Sequence, residues 1–313
     1  MERDEFVPPA PLKTAVLFIV FNRPDTAKQV FEAIRKARPP RLYVAADGPS
    51  LNRVGEVNKV ATVRAICTAV DWPCELKTLF RDENLGCKDG PSSAITWFFS
   101  QENQGIILED DCLPSQSFFW FCEELLDRYV YDNRIFMISG YNKMQEWPEA
   151  NSTAKSAYFY SSLGGIWGWA SWQRAWQYYD KNMSGIEELA LSGFFEDLLG
   201  RSLGGVRRRQ LLRANKEISS GQLDTWDYQW RYIRHKHSAL ACVPRKSLIA
   251  NIGHGDDATH TRLNSPDRVV RHQMSAPFGP PVSKSPDRKY DKRFLGIGLH
   301  SKLKRFLSYW RFK

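Results

Sequence analysis

Apolar runs too short to span a membrane and too unbroken for half-exposed strands recur through the first 140 residues, each followed by a segment with helical spacing. Residues 15–21 form one such run, and Asp25 then caps a segment that places Ala27, Val30, Phe31 and Ile34 on one helical face. A strand over 42–46 ends in Asp47-Gly48-Pro49, a helix follows over about 57–70, and 76–80 is a third strand. A helix around 92–101 leads to the run Ile106-Ile107-Leu108, and Phe118, Cys122, Leu125 and Tyr129 mark another helix before a strand over 135–139. Strands alternating with helices in this way require crossover connections. The expected fold class is therefore α/β, with a mostly parallel sheet covered on both faces. Ligands of such sheets bind beyond the carboxyl ends of the strands.

Those strand ends carry the polar signals: Asn22-Arg23 after the first, Asp47 after the second, residues 81–86 after the third and Glu109-Asp110-Asp111 after the fourth. Turn chemistry alone explains Asn, Asp, Gly and Pro at any single strand end. Three adjacent carboxylates directly after Gly-Ile-Ile-Leu are different, because charges delivered to the edge of a core repel one another unless a cation or solvent offsets them. Alternation would point Glu109 and Asp111 together and Asp110 away, unless the chain bends at the tip. Oxygen donors of this type favour Mg²⁺ or Mn²⁺, ions that keep open positions for substrate phosphates. The competing reading is a solvated acidic loop.

At 313 residues the chain is long enough for one large domain or two modest ones. Its formal charge of +9 is concentrated at one end: residues 288–313 hold nine Lys and Arg against one acid, which leaves the rest near neutral. That distribution argues against nucleic acid as a partner, since a binding core would carry its basic residues along a groove or recognition helix. The six cysteines show no CxxC pair and read as reduced thiols, not as a disulfide framework or zinc site. No segment has the uninterrupted apolar length of a transmembrane helix, and the N-terminus does not resemble a signal peptide. The expected location is cytoplasmic, with peripheral attachment to the inner face of a membrane as an option.

The expected organisation is a flexible N-terminus over 1–14, a Rossmann-like half over 15–140, a second half over 141–278, and a proline linker with a basic tail over 279–313. The second half is rich in Trp, with Trp167, Trp169, Trp172, Trp176, Trp226 and Trp230. Such rings can stack on sugar faces, but each one singly is better read as core. In the tail, Leu299, Leu303, Phe306, Leu307 and Trp310 recur at helical spacing among Lys302, Lys304, Arg305 and Arg311. An amphipathic helix of this kind either lies on an anionic membrane surface or docks on the protein's own core.

These motifs resemble the nucleotide-sugar glycosyltransferases of the GT-A fold, whose acidic motif ends a strand midway through a Rossmann-like half. The resemblance runs over residues 15–261 and is closest to the inverting family that includes the Golgi N-acetylglucosaminyltransferase of N-glycan processing, where Glu-Asp-Asp precedes a Phe-Phe helix. Here Glu109-Asp110-Asp111 precedes Ser117-Phe118-Phe119. The resemblance implies that Asp111 ligates Mn²⁺ or Mg²⁺, Asp110 contacts the ribose and Glu109 faces the donor sugar, while Arg23 and Asp47 hold the nucleotide. It places the catalytic base in a Trp-Asp-Asp-Trp segment. This chain has Asp224-Thr225-Trp226-Asp227-Tyr228-Gln229-Trp230 instead, making Asp227 the nearer match and Asp224 its rival; an Asp near a helix start can equally be a cap. A His in the late segment 251–261 is the second implied metal ligand, with His260 the candidate and His254 the reserve.

The implied activity is metal-dependent transfer of a hexose, N-acetylglucosamine or a relative, from a UDP-linked donor to a glycan or lipid-linked hydroxyl. Inversion follows from the family analogy alone, so retention stays open. A sugar-phosphate nucleotidyltransferase is an alternative, but Phe21-Asn22-Arg23-Pro24 lacks the Gly-rich basic loop that chemistry normally shows. A non-catalytic carbohydrate-binding, membrane-associated protein is another, and it leaves the polar strand ends unexplained.

Overall fold

The structure is a computed structural model and describes residues 6–50, 52–148, 156–253 and 270–297. Along the first half run β1 (Val16–Val20), α1 (Pro24–Ala37), β2 (Arg41–Ala46), α2 (Glu56–Cys67), β3 (Glu75–Phe80), α3 (Gly86–Phe99), β4 (Gln104–Glu109), β5 (Cys112–Pro114), α4 (Gln116–Arg128) and β6 (Ile135–Ser139). The second half continues with β7 (Tyr158–Ser161), β8 (Trp169–Trp172), α5 (Gln173–Trp176), α6 (Ile186–Leu191), α7 (Phe194–Leu199), α8 (Arg201–Ser219) and α9 (Asp227–Lys236). Then come β9 (Leu240–Pro244), β10 (Ile249–Asn251) and α10 (Arg288–Phe294).

Eight strands form one sheet in the order β3-β2-β1-β4-β8-β6-β9-β7. The pairs β1–β2, β2–β3, β1–β4 and β6–β9 are parallel, whereas β8 lies antiparallel to both β4 and β6, and β7 antiparallel to β9. Six strands thus run in one sense, and the expected α/β architecture with a mostly parallel sheet holds. Alternate residues of each strand feed opposite faces. Val16, Phe18 and Val20 join Val44 and Leu108 in a core under α1, α2 and α4, while Leu17 joins Tyr43 and Ile107 in a second core under α3, α8 and α9. The unbroken apolar runs are therefore the signature of strands buried on both sides. The second sheet is the antiparallel β10–β5 pair, which sets Asn251 opposite Cys112.

Several sequence boundaries shift, each for a local reason. Asp25 does not cap α1; the helix opens with Pro24, and Arg23 precedes it without a side-chain cap. Helix α3 begins at Gly86, six residues before the expected start, because its first N–H groups find carboxylates from elsewhere in the chain and Pro91 is accommodated within the helix. Where described, the N-terminal segment packs on the fold: Trp120 Nε1 donates to the Ala10 carbonyl, Thr14 Oγ1 donates to Glu123, and Leu12 is buried.

The linker and the start of the tail are likewise integral. Phe278 is buried, Asp287 N donates to the Tyr160 carbonyl, and α10 buries Tyr290 and Asp291 against the sheet. Asp291 accepts from Ser161 Oγ at 2.5 Å and from Ser162 N at 3.2 Å. The apolar and basic residues from Leu299 to Arg311 lie outside the described residues, as do His254 and His260. Trp169, Trp172, Trp176, Trp226 and Trp230 are all core residues, as the bland reading had it. All six cysteines are unpaired. Among the described residues, no helix is long and apolar enough to cross a membrane.

Candidate active site

A single cleft of about 1590 Å³ opens beyond the carboxyl ends of β1, β2 and β4. It gathers Arg23, Asp47, Glu109, Asp110, Asp111, Asp224 and Asp227, that is, every sequence-predicted site residue that falls among the described ones. Parallel strands make this convergence automatic, because their connections to the following helices all leave from the same edge.

The acidic tip bends. Glu109 is the last residue of β4, and Asp110 and Asp111 form the turn into β5, so the two aspartates face the same guanidinium instead of opposite faces. Arg23 Nη1 lies 3.5 Å from Asp110 Oδ1 and 3.2 Å from Asp111 Oδ2. Asp110 also accepts from Phe21 N at 3.2 Å, which ties the tip to the end of β1. One cation shared by two acids leaves Glu109 uncompensated. Burial pushes its carboxyl up to about 8, with Asp111, Asp110 and Asp227 adding repulsion. Asp110 is pushed up to about 7 by burial and then by Asp111. Glu109 Oε1 is buried without a hydrogen-bond partner, an arrangement that calls for a donor or cation.

The late segment reaches this tip directly. Ile252 N donates to the Asp111 carbonyl at 2.8 Å, and Gly253 lies so close that an added Cβ would overlap Asp111 Oδ2.

Asp47 and Asp224 share an arrangement that their sequence positions do not disclose. Asp47 accepts from the backbone N–H of Gly48, Leu85 and Gly86, and its carboxyl is raised by burial despite those bonds. Asp224 accepts from Cys87 N at 2.6 Å and Lys88 N at 2.9 Å. Together they satisfy the orphan donors of the α3 N-terminus, where the helix dipole also favours negative charge. The cap possibility held open for Asp224 is thus realised, on a helix remote in sequence from its own.

Asp227 opens α9. Its Oδ1 accepts from Thr225 Oγ1 at 2.7 Å, and its Oδ2 is ion-paired to Arg231 one turn later. Neither contact ties it to a backbone donor, and it lines the cleft beside Glu109.

Sequence reasoning missed two groups. Glu56 is buried, accepts from Asn22 Nδ2 at 2.8 Å and Ser50 N at 2.6 Å, and so braces the loops after β1 and β2. Arg207, on the α8 face that carries Gln210, Arg213 and Glu217, forms part of the far wall. The spacing of these four residues places them on one helical face, but a basic run on a helix reads first as solvated surface.

No family model and no curated protein matches this chain. Among solved structures it is similar to the apo structure of the WbbM bifunctional glycosyltransferase, at 10% identity and a TM-score of 0.34 over 75% of this chain and 39% of that one. It is also similar to a UDP-glucose pyrophosphorylase complexed with UDP-glucose, at 9% identity and a TM-score of 0.30 over 53% of this chain and 79% of that one. The chain thus spans about two fifths of WbbM. Likenesses this distant carry no reaction over, and the chemistry has to come from the residues of the cleft.

Proposed function

We propose that the protein is a glycosyltransferase that moves a hexosyl group from a nucleotide diphosphate sugar, with UDP the implied nucleotide, to an acceptor hydroxyl with inversion. The observation that carries this reading is the pairing, within one cleft, of a bent acidic tip at the end of β4 with a separately held carboxylate, Asp227, on the facing helix. A leaving diphosphate needs charge compensation, and an attacking hydroxyl needs a base. The two features divide those tasks.

The donor set at the tip is all oxygen, and the unpartnered Oε1 of Glu109 next to two further acids suits a hard divalent cation. Among the described residues no three His, Cys, Asp or Glu side chains are grouped to cage an ion, so Asp111 would be the principal protein ligand for Mn²⁺ or Mg²⁺. Such an ion would supply Lewis-acid compensation of the diphosphate oxygens. Arg23 adds a fixed positive charge at the same tip and orients both aspartates. Asp227 would take the proton of the acceptor hydroxyl, and the Arg231 ion pair fixes its carboxylate at the cleft wall. Nucleotidyl transfer fits less well, since the β1–α1 connection is three residues closed by Pro24 and offers no Gly-rich phosphate cradle.

The test is an incubation with a panel of nucleotide sugars, with Mn²⁺ or with a chelator. Metal-dependent release of nucleoside diphosphate, lost in Asp227→Asn, is the expected result. Release of pyrophosphate, or no turnover on any donor, would overturn the proposal.

A further inference from the structure

The wall of the cleft facing the acidic tip has the opposite charge, and one of its cations is buried. Arg207 projects from α8 and is 2% exposed, yet its Nε has no hydrogen-bond partner and its one side-chain bond is to the neutral Gln210 Oε1, at 3.3 Å. A guanidinium removed from water is normally paired with an acid. Here the neighbouring acids are engaged elsewhere: Asp227 with Arg231, Glu217 with Arg213, and Asp291 with Ser161 and Ser162. None of these acids bonds to Arg207, and a second cation, Arg231, acts on it more strongly than any of them. Burial and then Arg231 push it down to about 9, and burial, followed by Arg231 and Arg207, depresses Lys143, whose Nζ donates to the Phe294 carbonyl at 2.7 Å.

The neighbours of Asp227 say which substrate would meet these cations. Asp227 is ion-paired to Arg231, and both line the same cleft as Arg207, Lys143 and the acidic tip. If the donor diphosphate occupies the tip and Asp227 deprotonates the acceptor, then the cations grouped with Asp227 face the acceptor.

We infer that Arg207, Arg231 and Lys143 form a subsite for an anionic group, a phosphate or a carboxylate, carried by the acceptor. The placement on the acceptor side rests on the transferase reading; the existence of an anion site does not. A tetrahedral or planar oxyanion would give Arg207 the partner it lacks, and charge-assisted bonds to guanidinium are the strong ones. An uncharged acceptor would leave the buried cation unpaired. The subsite would thus discriminate against neutral glycans by the penalty of an unsatisfied charge.

Calorimetric titration of the full chain with inorganic phosphate and, separately, with glucuronate tests the site without any donor present. Lys143→Gln, which keeps a donor for the Phe294 carbonyl, should weaken binding of the preferred anion about tenfold, the loss of one charge-assisted bond. Arg207→Gln should weaken it further, with circular dichroism confirming the fold. Preference for phosphate identifies a phosphorylated acceptor, and preference for glucuronate an acidic sugar; either supports the subsite. Binding of neither anion, or binding indifferent to Lys143→Gln, would overturn it even if sugar transfer is observed. Anion binding that depends on Lys143, in a protein that releases no nucleoside diphosphate, would leave the subsite standing and overturn the transferase proposal.

Discussion

Replacing Asp224 and Asp227 separately should split stability from turnover, although the two residues are one helical turn apart in sequence. Asp224 receives two backbone N–H groups of the first turn of α3, at 2.6 and 2.9 Å. Loss of a capping carboxylate costs about 0.5–2 kcal/mol, and hydrogen bonds to a charged group lie at the upper end, so Asp224→Ala should destabilise by about 2 kcal/mol. At about 2–4 °C per kcal/mol for a chain of this order, the melting temperature should fall by about 5 °C. Gly86, with φ +77° and no room for a Cβ against Asp224 Oδ2, should behave alike when changed to Ala. Asp227→Asn keeps the Thr225 hydroxyl contact and loses the i,i+4 ion pair to Arg231, worth about 0.5 kcal/mol, so its melting temperature should move little. Its turnover should fall about a thousandfold, because an amide cannot take the proton. Thermal unfolding and nucleoside diphosphate release, measured on the same preparations, give both readings. An Asp224→Asn protein that melts like the wild type but is inactive, beside an active Asp227→Asn, would refute the assignment.

Asp111→Ala should remove Mn²⁺-dependent nucleotide binding while the fold stays intact, and Gly253→Ala should weaken it without touching any ligand, by displacing the Asp111 carboxylate; unchanged binding in both, measured by calorimetry with and without Mn²⁺, would sink the site. Asp291, buried and raised from 3.8 to about 6, prefers its proton in the folded state, so the stability tied to that preference is complete below pH 3.8 and is lost as pH rises through 6. Asp291→Asn should therefore gain on the wild type by up to about 3 kcal/mol between pH 4 and pH 6.5 in denaturant titrations, and a difference that is flat with pH would refute this. Truncation after Asp287 should lower the melting temperature because it deletes the buried Tyr290 and Asp291; a truncated protein that melts like the full chain would show that α10 contributes nothing.

The first half of the fold was readable because its strands are buried on both faces and so keep apolar runs unbroken, as in Val16–Val20 and Ile135–Ser139. Where the sequence misled, the deciding partner was distant. The start of α3 depends on carboxylates from after β2 and before α9, and no local pattern around Gly86, Gly90 and Pro91 contains them. The tail looked detachable because its charge dominates its composition, yet Asp291, its only acid, is the residue that locks it to Ser161. Short strands such as Trp169–Trp172 escape periodicity altogether, and only the composition of the Trp cluster hinted that this region is core. Arg207 was invisible for a related reason: within Arg207-Arg208-Arg209 nothing marks which of the three turns inward.

The carboxylates of the cleft show why residue type alone could nominate the site without assigning its parts. Asp47 and Asp224 are bound to the N–H groups of α3, so their charge is spent on holding the cleft's floor together. Asp110 and Asp111 share the Arg23 guanidinium, which leaves them able to exchange a protein cation for a bound one at modest cost. Glu109 has an oxygen with no partner, and Asp227 has a side-chain cation and a hydroxyl but no backbone tether. A base must be able to gain a proton without losing a structural bond. That criterion is why we propose Asp227 over Asp224 as the base: protonation of Asp224 would release the start of α3, whereas Asp227 holds only a side-chain hydroxyl and a side-chain cation.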